Sequence, residues 1–261
     1  MKVYILTDME GISLAYHWDH VKEGTPYYRN YQNILTNEVN AAVEGALAAG
    51  ASTVIVNDGH GGGSDYNLLW EKLHSSAILE KPGSSTNILT SLDESFHALL
   101  LVGYHAMEGT PLAVMPHTQS HVKWKSYEIC GQVYGEIGQM ALIAGDYGVP
   151  VAYISGDLAA VQEARQLLGP DLPNTVVKWG HPNGKVRSLH PEQSARQIRA
   201  DVERALQFKD RKPFYFPGPY EITVRLKEPQ FADEYVSKDI RRVDEVIISK
   251  TVNSAQYILD L

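Results

Sequence analysis

Apolar residues gather along this chain in short runs that stop abruptly at polar or glycine-rich stretches. Val3-Tyr4-Ile5-Leu6, Thr53-Val54-Ile55-Val56, Phe96 to Val102 and Val151-Ala152-Tyr153-Ile154 read as buried strands. After a polar, aromatic-rich loop (Tyr16 to Tyr31), Ile34, Leu35, Val39, Val43, Ala46 and Leu47 recur at helical spacing. Gly50 sits where a helix C-terminus is capped. Strand, helix and strand at this length make a βαβ unit, so the first two strands are expected to be parallel.

Farther on, Leu68 to Leu73 reads as a short helix, and Tyr127-Glu128-Ile129-Cys130 alternates as a half-buried strand does. Gly135 opens a helix with Ile137, Met140, Ala141 and Ala144 on its apolar face, closing near Gly148-Val149-Pro150. Asp157 is placed to cap a helix running to Leu168. Beyond Gly169 the pattern loses regularity. Prolines and glycines mark turns, a charged helix spans about Glu192 to Phe208, and Pro213 to Pro219 reads as a linker. Strands at Ile222 to Leu226 and Glu245 to Ile248 close the chain. The expected architecture is α/β: a mostly parallel sheet flanked by helices in three layers, over residues 1–169. A smaller C-terminal α+β portion, 170–261, is expected to pack on it.

Composition narrows the functional classes. At 261 residues, with 44% hydrophobic and 21% charged, the chain can bury a substantial core. A formal charge of −8 opposes tracking a nucleic-acid backbone or an anionic membrane, and no Lys/Arg run offsets it locally. The single cysteine, Cys130, excludes an intramolecular disulfide and multi-thiolate zinc sites, and is expected to be a buried small hydrophobe. The apolar stretch after Met1 ends at Asp8, far short of a signal-peptide core, and a cytoplasmic location is expected.

Candidate chemistry lies at the strand ends. Asp8 and Glu10 follow the first strand, Asp58 and His60 the second, and Tyr104 and His105 the third. Ligands of open parallel sheets bind outside the carboxyl ends of the strands, so Asp8, Glu10, His60 and His105 are expected to converge. Two carboxylates and two imidazoles in a half-buried cleft call for a divalent cation. The mixed N/O set suits zinc best, with manganese, cobalt or iron as alternatives. Glu136, at the start of a helix, adds a third carboxylate. Together these donors exceed one tetrahedral ion and suit two metals about 3.5–4 Å apart sharing a carboxylate. His60-Gly61-Gly62-Gly63 looks like an esterase oxyanion loop, but no Gly-x-Ser-x-Gly elbow accompanies it. His17 and His20 read as surface or core-edge imidazoles. His117 and His121 are four apart but lack the Glu of a His-Glu-x-x-His site.

Thr7-Asp8-Met9-Glu10-Gly11, Val56-Asn57-Asp58-Gly59-His60, Gly103-Tyr104-His105-Ala106, Met115-Pro116-His117 and Gly135-Glu136-Ile137-Gly138 occur in that order. Together they resemble the DppA-type D-aminopeptidases of the M55 metallopeptidase family, strongly over residues 1–160 and only in outline beyond. The resemblance implies a dinuclear zinc site, with Asp8 bridging the metals and Glu10, His60, His105 and Glu136 as the other ligands. It adds His117 in a direct catalytic role. It further implies release of N-terminal D-residues from short peptides such as D-Ala-D-Ala by attack of a metal-activated hydroxide. It also implies a homo-oligomer, a decamer of two stacked five-membered rings. A related metal-dependent amidohydrolase, an L-specific peptidase or a non-catalytic metal-binding homologue are the rival readings. One departure stands out: Leu6 occupies a position that is serine in the family signature, and it is expected to face the core. The Gly61-Gly62-Gly63 stretch looks local to this chain and is expected to reshape the substrate pocket.

Overall fold

In the computed structural model, residues 1–61, 65–81, 88–208, 210–235 and 237–261 are described. The chain begins with β1 (Lys2–Thr7), α1 (Tyr28–Ala48), β2 (Thr53–Asp58), β3 (Ala77–Glu80) and β4 (Ala98–Tyr104). The hairpin β5 (Trp124–Ile129) and β6 (Gln132–Val133) precedes α2 (Glu136–Asp146), β7 (Val151–Asp157) and α3 (Leu158–Leu168). Then come β8 (Asn174–His181), β9 (Lys185–Ser188), α4 (Pro191–Ala205), β10 (Tyr220–Leu226), α5 (Pro229–Tyr235), β11 (Arg241–Arg242) and β12 (Ile247–Val252).

The main sheet runs in the order β3-β2-β1-β4-β7-β8-β9, and every pairing is parallel except β8 with β9. Side chains of a strand alternate between faces, and here each face meets its own core. Val3, Ile5, Leu100 and Val102 pack with Leu35, Val39 and Val43 of α1 and with Ile198 and Val202 of α4. Tyr4, Leu6, Leu99 and Leu101 pack with Ile137, Met140 and Ala141 of α2 and with Ile222, Val224 and Ile248 of a second, antiparallel sheet. That sheet has the order β11-β12-β10-β5-β6. The expected α/β architecture with helices on both faces of a mostly parallel sheet is present.

Both sheets draw on residues either side of position 169. β8 and β9 extend the main sheet, and α4 packs beside α1, although all three come late in the chain. Conversely, β5 and β6, from the earlier part, pair into the antiparallel sheet through β10. Leu6 is fully buried, facing the core as expected. Cys130 is not buried: it stands exposed in the turn between β5 and β6, in the left-handed region with φ 51°. The helix expected at Leu68 to Leu73 is a single 3₁₀ turn, Trp70–Lys72. Gly62 and Gly63 lie outside the described residues.

Candidate metal centre

Parallel pairing of β2 and β4 to either side of β1 sets three strand ends next to one another. The loop after β1 is drawn against β4: the Asp8 N–H donates to Val102 O at 2.9 Å and the Gly11 N–H to Gly103 O at 2.7 Å. The approach is so close that a Cβ on Gly11 would lie 1.9 Å from Tyr104 O, which only glycine allows. Glu136 arrives from the other side, on the first turn of α2.

These elements bring all the expected residues together. Asp8, Glu10, His60, His105 and His117 are buried, and Glu136 is half-buried. His60 Nδ1 lies 3.0 Å from Asp8 Oδ1 and 3.1 Å from Glu10 Oε2. His105 Nε2 lies 3.2 Å from the other Asp8 oxygen, Oδ2, and 3.4 Å from Glu136 Oε1. His117 Nε2 is more distant, 3.9 Å from Glu10 Oε1 and 3.8 Å from Glu136 Oε1. Its ring stacks on that of His105 with centroids 3.8 Å apart.

The tautomers follow from the backbone. A carbonyl can only accept, so His60 Nε2–H donates to Val21 O at 2.8 Å and His105 Nδ1–H to Ala106 O at 3.0 Å. His117 Nδ1–H donates to Met115 O at 3.2 Å. Each imidazole therefore turns its other nitrogen toward carboxylate oxygens, the orientation that metal-ligating histidines adopt. Among the described residues, His105 Nε2 and Glu10 Oε2 are buried without a hydrogen-bond partner. Donors at about 2.0–2.2 Å from one tetrahedral zinc stand about 3.3 Å from one another, close to the spacings found here. The donor set fits zinc, and it falls into two groups able to hold an ion: Asp8, Glu10 and His60, and His105, His117 and Glu136.

Charge points the same way. Burial opposes an ionised Asp8, yet His105 and His60 outweigh it and hold its carboxyl well below the usual range. Burial likewise opposes a charged His60 or His105. The carboxylates of Glu10 and Asp8 still push His60 well above its ordinary value, and those of Glu136 and Asp8 do so for His105. The cluster thus demands positive charge, which a divalent ion supplies in place of the imidazole protons.

A cavity of about 570 Å³ opens above these residues. One wall is aromatic: Trp18 stacks on His121 with centroids 3.9 Å apart and meets the His117 ring edge-on at 5.2 Å. Gln119 lines the same cavity, and its backbone N–H donates to Glu136 Oε1 at 2.6 Å. Sequence reasoning missed Trp18, His121 and Gln119 as cavity residues. The only signal for His121 was its spacing of four from His117, and Trp18 lay in a loop without periodicity. The other flagged pair divides: His17 is exposed, while His20 is buried and stacks on Tyr31 with centroids 4.1 Å apart.

Two groups behind the centre, the half-buried Glu163 and the buried Lys178, were also missed. Glu163 of α3 accepts the Met107 N–H at 2.8 Å, and burial raises its pKa to about 7. Lys178 of β8 is fully buried and donates to Glu10 O, to Ile12 O at 3.0 Å and to Ala15 O at 2.6 Å. Burial lowers its pKa to about 8 against the pull of Asp157, Glu38 and Glu10, and its three carbonyl acceptors match the three donors of an ammonium.

Comparison with known proteins settles the lineage. The family profile of peptidase M55, the D-aminopeptidases, matches residues 1–261. The chain belongs to the M55 peptidase family. A D-aminopeptidase of Bacillus subtilis (strain 168) is 34% identical over 228 residues, which cover 87% of this chain and 81% of that protein. The solved structure of a Zn-dependent D-aminopeptidase, DppA from Bacillus subtilis, described as a self-compartmentalizing protease, superposes with a TM-score of 0.91. It is 28% identical, with 100% of this M55 chain and 94% of that chain covered. Among the described residues of the M55 chain, no helix is long and apolar enough to cross a membrane.

Proposed function

We propose that this chain is a dinuclear-zinc aminopeptidase that removes the N-terminal residue, a D-amino acid, from short peptides such as D-Ala-D-Ala. The observation that carries the reading is the position of Asp8, whose two oxygens face different imidazoles, His60 on one side and His105 on the other. That arrangement suits a carboxylate shared between two ions, with Glu10 and His60 completing one half and His105 and Glu136 the other.

A zinc pair, when bound, supplies Lewis acidity toward the scissile carbonyl and toward a water. The chain's own residues supply the rest. Carboxylate oxygens that line the cavity, those of Glu10 and Glu136, accept hydrogen bonds from the free N-terminal amine of the substrate. His117, tethered through Nδ1–H to Met115 O, keeps Nε2 directed at the centre. From there it stabilises the developing oxyanion or passes a proton to the leaving amine. Trp18 and His121 offer a flat apolar wall to a substrate side chain, and the cavity restricts the substrate to a few residues. Its relative's description as a self-compartmentalizing protease supports a homo-oligomer, for which we propose a cytoplasmic decamer of two stacked five-membered rings.

Elemental analysis of protein purified without chelator is expected to find about two zinc-type ions per chain, and D-alanyl peptides to be cleaved in preference to their L-isomers. One ion or none after metal is supplied would sink the dinuclear reading. Equal cleavage of the L-isomers would shift the assignment to a broader peptidase or amidohydrolase.

A further inference from the structure

Lys178 is a lysine buried in the main sheet, and no carboxylate lies within ion-pair distance of it among the described residues. Its ammonium has three N–H donors, and all three are spent on backbone carbonyls: Glu10 O, Ile12 O at 3.0 Å and Ala15 O at 2.6 Å. All three acceptors belong to the one segment that follows β1 and carries Asp8 and Glu10. A buried cation is costly, and this one directs all three of its side-chain hydrogen bonds to a single loop.

The loop's other ties show what Lys178 controls. Asp8 is fixed to β4 through its own N–H to Val102 O, and Gly11 through its N–H to Gly103 O. The Glu10 carbonyl, between them, is gripped by Lys178. The residues of the other half hang elsewhere. His105 follows β4 with its Nδ1–H on Ala106 O, and Glu136 starts α2 with its Oε1 on the Gln119 N–H. Neither touches Lys178.

We propose that Lys178 is a positioning residue for one half of the metal pair, holding Glu10 in register for the ion shared with His60 and leaving the His105–Glu136 half independent. This rests on the dinuclear reading given above. The effect is asymmetric, which separates it from general destabilisation. An unspecific loss of fold weakens both halves together.

The test is stepwise zinc binding by chelator competition on the full-length wild type, Lys178→Met and Lys178→Gln, with circular dichroism as the check on folding. Methionine replaces the buried cation with an apolar chain of similar length, and glutamine retains a neutral N–H donor should methionine prove too disruptive. Wild type is expected to hold two ions. The variants are expected to keep one at wild-type affinity and to bind the other about 10–100-fold more weakly, glutamine less severely than methionine. Parallel weakening of both ions, or two ions held as in wild type, would overturn the role of Lys178. A wild type that holds fewer than two overturns the dinuclear reading, and this inference with it.

Discussion

At the scale of single residues, Asp8 and His117 stand in contrasting positions. Asp8 lies within 3.2 Å of both facing imidazoles, whereas His117 Nε2 stays at 3.8 Å or more from the carboxylates it faces. A shared ligand and a group that acts on substrate therefore respond differently to removal. His117→Ala is expected to retain both ions and lose about 10²–10⁴-fold in kcat, the range of a lost acid–base or oxyanion group. Asp8→Ala is expected to lose both ions. Metal analysis beside steady-state kinetics decides: loss of an ion in His117→Ala would make His117 a ligand, as its grouping with His105 and Glu136 permits. Retention of two ions by Asp8→Ala would remove the shared role. Asp8 was legible because it follows a short apolar run that ends in a polar residue, whereas His117 was singled out only by the family resemblance. Lys178 was not, since a lone lysine within an irregular stretch reads as surface until the fold buries it.

At the scale of elements, the parts with a strong local signal were readable and those defined by partners were not. Gly135 is the N-cap of α2 and Asp157 that of α3, where its Oδ1 accepts the Ala160 N–H at 2.9 Å as local capping chemistry dictates. β8 and β9 carry polar residues because the strand pair lies toward the sheet's edge, so their pattern resembles loop. α4 was readable as a charged helix, and it has few apolar positions because only a narrow stripe, Ile198 and Val202 among it, meets α1. α1 itself does more than cover the sheet. Its buried Glu38 accepts the Ser13 N–H at 3.0 Å, fastening helix to ligand loop, with Ser194 of α4 and the Lys178 cation also facing it. Burial raises the Glu38 pKa to about 7, above the 4.5 of an unperturbed side chain. The folded state then holds more protons than the unfolded one between those values, so stability falls as pH rises through that window. Lys178 does not interfere, since its shift acts only above about pH 8. Glu38→Gln, which keeps the acceptor and cannot ionise, is expected to flatten the decline. In zinc-saturated protein it is expected to exceed wild type by about 1–3 kcal/mol above pH 7, with no gain near pH 4.5. Denaturation at a series of pH values checks this. A constant difference between the two proteins would mean that Glu38 does not titrate in that window.

At the scale of the whole molecule, the proposed ligands come from four separate segments: the loop after β1, the ends of β2 and β4, and the start of α2. Unfolding disperses them, whereas in the folded chain the ligand atoms of each group of three lie within 4.8 Å of one another. An ion bound by the native state and not by the unfolded chain stabilises by mass action, about 2.7 kcal/mol when free metal is 100-fold above Kd. For a chain of this size each kcal/mol moves Tm by roughly 2–4 °C. Chelation, which removes both proposed ions, is therefore expected to lower Tm by about 10–20 °C, with recovery on adding zinc. Part of the stabilisation is offset, because removal of metal lets His60 and His105 take up protons that satisfy the same carboxylates. Both imidazoles are raised from 6.5, so the stability their protons lend the metal-free chain is complete below about pH 6.5 and declines above it, and the chelator-induced drop is expected to be larger at pH 9 than at pH 6. Asp8→Ala serves as the control, with little response to chelator at either pH. A wild-type Tm unmoved by verified metal removal would mean that ion binding is not coupled to the fold.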